Sequence, residues 1–193
     1  MKKDILNSYE RVSLDYGYNS NSLHKLGFDA RKLEEAASKQ ILECLNLTGY
    51  DVIYTSGNAE SFTYLIDNMK QKSVLTDNST MKLVCNELCV PVFMNKCDVG
   101  QEMFVSVTNP DFFEGNVNHL DLKLDGNYGN LNEYDFITIE DEIPFFGVLL
   151  KKKSIECDNL IHGGKSTTKY RSGTSVTPLI VSFAKLVKLK YKK

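Results

Sequence analysis

The order of apolar and polar positions predicts that helices and strands alternate through the first half of the chain. From Phe28 to Leu47, apolar residues recur every three or four positions, which is the period of an amphipathic helix. Asp51–Thr55 is rich in β-branched and aromatic residues, which favours a short strand. Further helices are predicted at Asn58–Met69, Ser79–Leu88 and about Thr177–Lys190. Further strands are predicted at Ser73–Thr76, Val90–Met94, Phe104–Val107, Asp121–Leu124, Asp135–Ile139 and Phe145–Leu150.

Alternating strands and helices predict an α/β fold with a mostly parallel sheet and helices on its faces. The sequence shows no internal repeat, no low-complexity linker and no shift in composition that would mark a boundary. We therefore expect a single domain over residues 1–193.

Composition places the chain among soluble globular proteins, with 42% hydrophobic and 25% charged residues. No apolar run approaches the roughly 18 residues that a membrane span requires. The N-terminal segment lacks the apolar region of a secretory signal, so we expect a cytoplasmic location and no membrane contact.

The net charge of −2 argues against nucleic-acid binding through bulk electrostatics. Lysines do gather between Lys185 and Lys193. The helix dipole stabilises cations in the last turns of a helix, so the simpler interpretation is that these lysines end a helix. A basic patch for nucleic acid or a membrane is the alternative.

Five cysteines are present, and an odd number in a cytoplasmic chain argues against a disulfide framework. Cys85 and Cys89 lie four residues apart on a predicted helix and therefore share a face. No CxxC pair or nearby histidine accompanies them, so we expect buried cysteines and no metal site.

Three stretches, in order, resemble the NifS/IscS-type cysteine desulfurases, which belong to the class V aminotransferases and use pyridoxal phosphate (PLP). Residues 19–37 read NSNSLHKLGFDARKLEEAA, which is similar to the family's segment N-P-S-S-x-H-x-x-G-x-x-A-R-x-x-x-E-x-A. Residues 52–61 read VIYTSGNAES, and residues 161–183 read IHGGKSTTKYRSGTSVTPLIVSF. They are similar to the family's I-x-F-T-S-G-A-T-E-S and to its IHGG and RSGT segments. Together they cover about a third of the chain.

The resemblance implies the large domain of a fold-type I PLP enzyme, a three-layer α/β/α sandwich. The chain ends just inside the helix that follows RSGT, so we expect the C-terminal small domain to be missing. In the family that domain carries the nucleophilic cysteine and the arginine that binds the substrate carboxylate. None of the five cysteines matches that loop.

The resemblance also locates the family's catalytic tetrad, S-x-H-K, which supplies the lysine that forms a Schiff base with PLP. Its aligned positions here are Glu140, Asp141, Glu142 and Ile143. Isoleucine cannot form a Schiff base, so we expect no catalytic residue at this position. Carboxylates facing a phosphate dianion would repel it by on the order of several kcal/mol at intermediate dielectric.

Several other positions that align with cofactor-binding residues of the family also carry a different side chain. Ala59 replaces the family's phosphate-binding threonine, Asn78 lies near the ring-stacking histidine, and Tyr128 lies at the glutamine that faces the phenolic oxygen. Asp125 aligns with the aspartate that binds the pyridine nitrogen, and Thr174 with the threonine that reaches the neighbouring subunit's phosphate. The backbone N–H groups of Ser56, Gly57 and Asn58 could still bind an anion at a helix N-terminus.

These remnants predict a protein that has lost PLP and its chemistry while keeping its dimer surface. In the family that surface includes the IHGG and RSGT segments, here His162, Gly163, Gly164, Arg171, Ser172, Gly173 and Thr174. We expect a homodimer, or a heterodimer with a desulfurase-like protein, that modulates sulfur transfer. One alternative is a residual PLP enzyme using Asp125, Thr174 and a recruited lysine such as Lys151 or Lys165. Another is a protein that binds a different small anion at Ser56–Asn58.

We expect the three histidines to have structural or surface positions. His24 and His162 lie in the family motifs, and both are expected to be loop histidines bonded to backbone, with a substrate or interface contact as the alternative. His119 lies outside any motif and is expected on the surface. Glu140, Asp141 and Glu142 are expected to form a solvated strand end, with a docking patch as the alternative.

Overall fold

The structure is a computed structural model that describes residues 2–69, 73–94, 103–163 and 169–191. The chain divides into two compact units, which are described separately below. One unit comprises Met1–Tyr54 and Asp158–Lys193, and the other comprises Thr55–Cys157. Nothing in this division tests the single-domain expectation, which stays a prediction.

The first unit is helical and contains α1 (Lys3–Tyr16), α2 (Lys25–Cys44), β1 (Tyr50–Thr55, whose last residue opens the second unit) and α5 (Thr177–Lys190). Helix α5 packs against both α1 and α2. Its inner face buries Ile180, Phe183 and Val187, and α2 buries Ala37 and Ile41. Buried apolar side chains at helical spacing therefore hold the three helices together.

The second unit contains a sheet and two helices. In chain order its elements are α3 (Asn58–Asn68), β2 (Ser73–Thr76), α4 (Ser79–Glu87), β3 (Val92–Phe93), β4 (Met103–Val107), β5 (His119–Leu122), β6 (Phe136–Glu140) and β7 (Gly147–Lys152). The strands of this unit lie in the order β7-β6-β5-β4-β2-β3. All neighbours are parallel except β6 and β7, which pair antiparallel.

The central strands are buried along nearly their whole length, because parallel strands are covered on both faces. That burial explains why they read as near-continuous apolar runs with few polar positions. The carboxyl ends of β2, β4, β5 and β6 lie at one edge of the sheet. In open α/β sheets this edge is where ligands bind.

Most predicted elements are present, with boundaries displaced by a few residues. Helix α1 is absent from the prediction, and α2 begins three residues earlier than predicted. Strand β5 was placed two residues too late, over Asp121–Leu124 instead of His119–Leu122. The physical reason is that histidine is a polar residue type, whereas the His119 side chain lies inside the sheet.

The surface position predicted for His119 is wrong, because its side chain is fully buried on β5. A histidine can occupy a core when both ring nitrogens have hydrogen-bond partners. The hydroxyls of Ser106 and Thr138 supply them.

Candidate functional site

A cavity of about 560 Å³ lies at the N-terminus of α3, at the carboxyl edge of the second unit's sheet. We call it the α3 cavity. Its lining is predominantly polar and comprises Ser56, Gly57, Asn58, Ala59, Glu60, Thr80, Lys123, Glu140 and Asp141. The sequence-predicted residues Ser56, Gly57 and Asn58 therefore lie together on this cavity.

The turn that starts α3 depends on two glycines. Gly57 has φ 145° and ψ −173°, a conformation essentially restricted to glycine. Gly147, at the start of β7, lies against this turn, and a Cβ added there would be 2.9 Å from the Gly57 Cα. This close approach leaves no room for a side chain at residue 147.

Two backbone N–H groups of this turn donate hydrogen bonds to carboxylates of the chain itself. Glu140 Oε2 accepts a 2.7 Å hydrogen bond from Asn58 N, the first residue of α3. Glu60 Oε2 accepts a 2.7 Å hydrogen bond from Ser56 N. Since a helix N-terminus stabilises negative charge, Glu140 takes the position that an external anion would occupy.

A second carboxylate, Asp121, lies at the end of β5 and is almost completely buried. Its Oδ1 accepts hydrogen bonds from Asn58 Nδ2 at 3.1 Å and from Thr138 Oγ1 at 3.0 Å. Its Oδ2 accepts one from Asn78 Nδ2 at 2.8 Å, and the Lys123 ammonium lies 3.6 Å away. Four donors therefore surround this carboxylate.

Burial is the largest influence on Asp121 and raises its pKa. The Lys123 ammonium and the donors from Thr138, Asn58 and Asn78 act in the opposite direction. The ionised form of Asp121 is thus destabilised by the loss of hydration and stabilised by three hydrogen-bond donors and the Lys123 ammonium.

A buried histidine continues this network away from the cavity. His119 Nε2 lies 3.0 Å from Thr138 Oγ1, and His119 Nδ1 lies 2.8 Å from Ser106 Oγ. Burial lowers the pKa of His119 to about 3, so the ring is neutral at physiological pH.

The aspartate of this network is Asp121, whereas the family resemblance points to Asp125. Asp125 is exposed in the turn after β5, four residues beyond the buried carboxylate. The signal that could have identified Asp121 is its position inside the apolar run HLDL, where a buried charge requires partners.

The other predicted positions are occupied as follows. Asn78 caps α4 by accepting from Thr80 N and Met81 N, and its amide also donates to Asp121. Tyr128 accepts a 2.9 Å hydrogen bond from Lys123 N and does not line the α3 cavity. Ile143, which the resemblance aligns with the family's lysine, is buried.

Of the two lysines named as recruits, Lys165 lies outside the described residues. Lys151 is fully buried on β7, and its Nζ donates to the carbonyls of Lys152 and Ile155 at 2.9 and 2.7 Å. In the sheet register it lies opposite Phe136, at the start of β6, whereas Glu140 lies at the end of that strand. Lys151 is therefore distant from the cavity along the strand.

The predicted interface residues belong to the first unit. Residues 160–163 and 169–174 run side by side, with a parallel bridge between Ile161 and Arg171. They form a shallow pocket of about 440 Å³ lined by Asn19, Asn21, Ile161, His162, Gly163, Ser172, Gly173 and Thr174. Thr174 Oγ1 accepts a 3.5 Å hydrogen bond from Asn19 Nδ2. Gly164 lies outside the described residues.

The described residues contain no group of three or more histidine, cysteine, aspartate or glutamate side chains that could hold a metal ion. None of the described helices combines the length and the apolarity needed to cross a bilayer.

Comparison with known proteins identifies the fold. No family model and no curated protein matches this chain, whereas many solved structures do. A NifS-like protein superposes with a TM-score of 0.84 at 17% identity, covering 98% of this chain and 66% of that one. A NifS-like protein from Rickettsia africae gives a TM-score of 0.82 at 17% identity, covering 99% of this chain and 66% of that one. A structure of SspA in complex with cysteine gives 0.80 at 19% identity, covering 97% and 69%.

This chain therefore has the fold of the NifS-like cysteine desulfurases, over nearly all of its length. It spans about two thirds of the length of those proteins. The predicted resemblance and the predicted α/β fold class are both confirmed at the level of the fold. Activity, cofactor and partner do not follow from a fold alone.

Proposed function

We propose that this chain is a non-catalytic, cysteine-desulfurase-like protein that acts by binding a partner chain. The observation that carries the proposal is the 2.7 Å hydrogen bond between Glu140 Oε2 and Asn58 N. A carboxylate of the chain itself satisfies the helix N-terminus that the resemblance assigns to the cofactor phosphate.

The residues at this cavity do not fit PLP at its phosphate end. Glu140 and Asp141 both line the α3 cavity, and Lys123 is the one described cation on its wall. A phosphate dianion would have to displace Glu140 from Asn58 N and then lie beside two carboxylates. Electrostatic repulsion at intermediate dielectric opposes this by on the order of several kcal/mol.

The residue that the resemblance assigns to the aldehyde end of PLP, and the buried lysine of the same strand region, also do not fit the cofactor. Ile143 stands at the family's lysine position, and its side chain cannot form a Schiff base. The ammonium of Lys151 is hydrogen-bonded to two carbonyls at the opposite end of β7.

The proposed binding surface is the pocket formed by residues 160–163 and 169–174. His162, Gly163, Gly173 and Thr174 are exposed there in the described part of the chain. Exposed polar groups on two adjacent extended segments are suited to pairing with another protein chain. We propose a second copy of this chain, or a desulfurase-like protein, as the partner, and a regulatory role in sulfur transfer. The SspA neighbour, whose structure contains cysteine, agrees with a link to sulfur chemistry.

The first experiment tests the cavity. Purified protein is mixed with PLP, its absorbance spectrum is recorded, and the mixture is reduced with borohydride and weighed by intact mass spectrometry. We expect no stable band and no added mass. A stable band with the mass of one reduced cofactor would overturn the non-catalytic proposal.

A variant that is expected to bind phosphate tests the same cavity. Glu140→Ser removes the carboxylate from Asn58 N and should open the α3 N-terminus to inorganic phosphate. We expect phosphate binding, measured by calorimetry, at least about tenfold tighter than in the wild type, equivalent to about 1.4 kcal/mol. Glu142→Ser is the matched control, because Glu142 is exposed and does not line the cavity. Equal affinity in both variants would show that Glu140 does not exclude anions.

A second candidate function, a residual PLP enzyme, is favoured by one observation. Lys123 lines the α3 cavity, is half exposed and lies 3.6 Å from buried Asp121. If the borohydride experiment does add mass, peptide mapping should find it on Lys123, and Lys123→Arg should abolish it. Modification at any other lysine would remove the structural basis for this alternative.

A further inference from the structure

Four buried side chains of the second unit form a continuous row of hydrogen bonds across three adjacent strands. Ser106 on β4 bonds to His119 on β5, His119 bonds to Thr138 on β6, and Thr138 bonds back to Asp121 on β5. The distances are 2.8, 3.0 and 3.0 Å. In the sheet register Ser106 is the partner of His119, and Thr138 is the partner of Asp121. All four residues are at most 1% exposed.

The direction of each bond follows from the groups around Asp121. Asn78 Nδ2 and the Lys123 ammonium lie at Oδ2, Asn58 Nδ2 lies at Oδ1, and these nitrogens only donate. An ionised Asp121 only accepts, so the Thr138 hydroxyl donates to it. Thr138 Oγ1 must then accept from His119 Nε2–H. His119 Nδ1 carries no proton in that state and accepts from the Ser106 hydroxyl.

His119 can change only its tautomer in this environment. Its ring lies edge-on to Phe62, with centroids 5.5 Å apart, and stacks with Phe104 at 6.5 Å. Desolvation is the only resolved influence on its pKa, which it lowers, and no charged side chain contributes. A second proton on this ring is therefore strongly disfavoured.

We propose that this row is a proton-sensitive relay, in which uptake of a proton by Asp121 reverses every hydrogen bond and moves the His119 proton from Nε2 to Nδ1. The relay lies beyond the proposed function and does not depend on it.

The position of the added proton is fixed by the groups that face Asp121. At Oδ2 a proton would meet only the donors of Asn78 and Lys123. At Oδ1 the Thr138 hydroxyl can change from donor to acceptor, so the proton resides there. The charged groups near this site are Lys123 and, through its bond to Asn58 N, Glu140.

The proton balance of the reversal is simple. Each proton of the row moves along its own hydrogen bond toward Asp121: the Thr138 hydroxyl proton passes to Asp121 Oδ1, the Nε2 proton passes to Thr138 Oγ1, and the Ser106 hydroxyl proton passes to Nδ1. One proton from solvent replaces the proton that Ser106 gives up. The ring keeps one proton throughout, so the net uptake is a single proton on Asp121.

The test is nitrogen NMR on protein labelled with ¹⁵N-histidine, with His119→Phe used to assign the signals among the three histidines. Asp121 is followed in parallel by its ¹³C carboxyl signal. We expect His119 to be the Nε2–H tautomer at neutral pH. As Asp121 is protonated, the ratio of the two tautomers should invert at the same midpoint.

Two variants make the result decisive. Thr138→Val has nearly the same shape and breaks the row, so the His119 tautomer should no longer follow the titration of Asp121. Asp121→Asn places its amide oxygen toward Asn78 and Lys123 and its NH₂ group toward Thr138 and Asn58. The Asn58 amide then turns over, so that its Oδ1, which has no partner among the described residues, accepts from this NH₂ group. The Asp121→Asn variant should therefore hold His119 as the Nδ1–H tautomer at every pH. Far-UV circular dichroism verifies that each variant is folded.

A His119 tautomer that stays Nε2–H in Asp121→Asn would overturn the relay. The same conclusion follows if the tautomer inverts identically in wild type and Thr138→Val, because the coupling would then not pass through Thr138.

Discussion

At the scale of single residues, one side chain changes the chemistry of the α3 cavity. Glu140 provides an acceptor for Asn58 N, which a helix N-terminus otherwise leaves to water or a ligand. A serine hydroxyl at this position could share an anion with the helix, whereas a carboxylate takes the anion's place. The difference between binding and excluding a phosphate can thus rest on one residue.

A second buried carboxylate, Glu34 on α2, makes the stability of the chain depend on pH. Glu34 is fully buried, and its Oε1 accepts a 2.6 Å hydrogen bond from Thr177. Its Oε2 has no hydrogen-bond partner among the described residues. Burial is the largest influence and raises the pKa of Glu34, and the hydrogen bond from Thr177 is the chief influence that opposes the rise.

The sign of this effect follows from proton binding. Above the unfolded pKa of about 4.3, the unfolded chain releases the Glu34 proton while the folded chain retains it. The unfolding free energy therefore falls as pH rises from there through the raised folded pKa. Urea unfolding between about pH 4.5 and about pH 8 should show this fall, and Glu34→Gln should flatten it. Glu35→Gln, at the exposed neighbour, is the control. An unchanged slope in Glu34→Gln would contradict the assignment.

At the scale of elements, the start of α4 is tied to the sheet by one side chain. Asn78 Oδ1 caps α4 by accepting from Thr80 N and Met81 N, while its Nδ2 donates to Asp121 on β5. Helix capping alone would be satisfied equally well by aspartate. The bond to Asp121 requires the amide.

We therefore expect Asn78→Asp to destabilise the protein although it preserves the cap. The new carboxylate would face Asp121 Oδ2 in place of a donor, and the loss should be about 2 kcal/mol at neutral pH. Urea unfolding measures it, and acid should restore part of the loss as one carboxylate is protonated. Asn130→Asp is a matched control, because Asn130 also accepts from a backbone N–H but is exposed. A neutral effect of Asn78→Asp would mean that the donor to Asp121 contributes little.

At the scale of the whole molecule, the proposed partner binding has a direct measurement. Light scattering after gel filtration should give twice the chain mass of 21.8 kDa if a second copy is the partner. His162→Glu, on the 160–174 pocket, should shift the protein toward the monomer through like-charge repulsion across a symmetric interface. Lys82→Glu, at an exposed site on α4, should leave the mass unchanged. A monomer at all concentrations would leave a heterodimer as the form of the proposal to test.

Much of the architecture could be predicted from local pattern, because buried parallel strands and amphipathic helices have strong periodic signals. Strand β2 was predicted with the observed bounds, and α3, α4 and β4 within one residue. The error at β5 occurred where a polar residue lies in the core. His119 displaced the predicted β5, because a sequence does not show that Ser106 and Thr138 supply its hydrogen bonds.

The candidate site was only partly predictable for the same reason. The resemblance points to Ser56, Gly57 and Asn58, which are consecutive in the chain and line one cavity. It named Asp125, whereas the carboxylate in the network is Asp121, since alignment without a register cannot tell a buried strand position from the following turn.

The sequence by itself determined the α/β class, the resemblance to the desulfurases and the residue type at the position that this resemblance aligns with the family's lysine, Ile143. These depend on residue type and order, which can be read directly from the sequence. The tertiary structure alone decided that Glu140 binds Asn58 N, 82 residues away, and that Ser106, His119, Thr138 and Asp121 form one row. Hydrogen bonds between strands depend on sheet register, and register is set by the packing of the whole sheet.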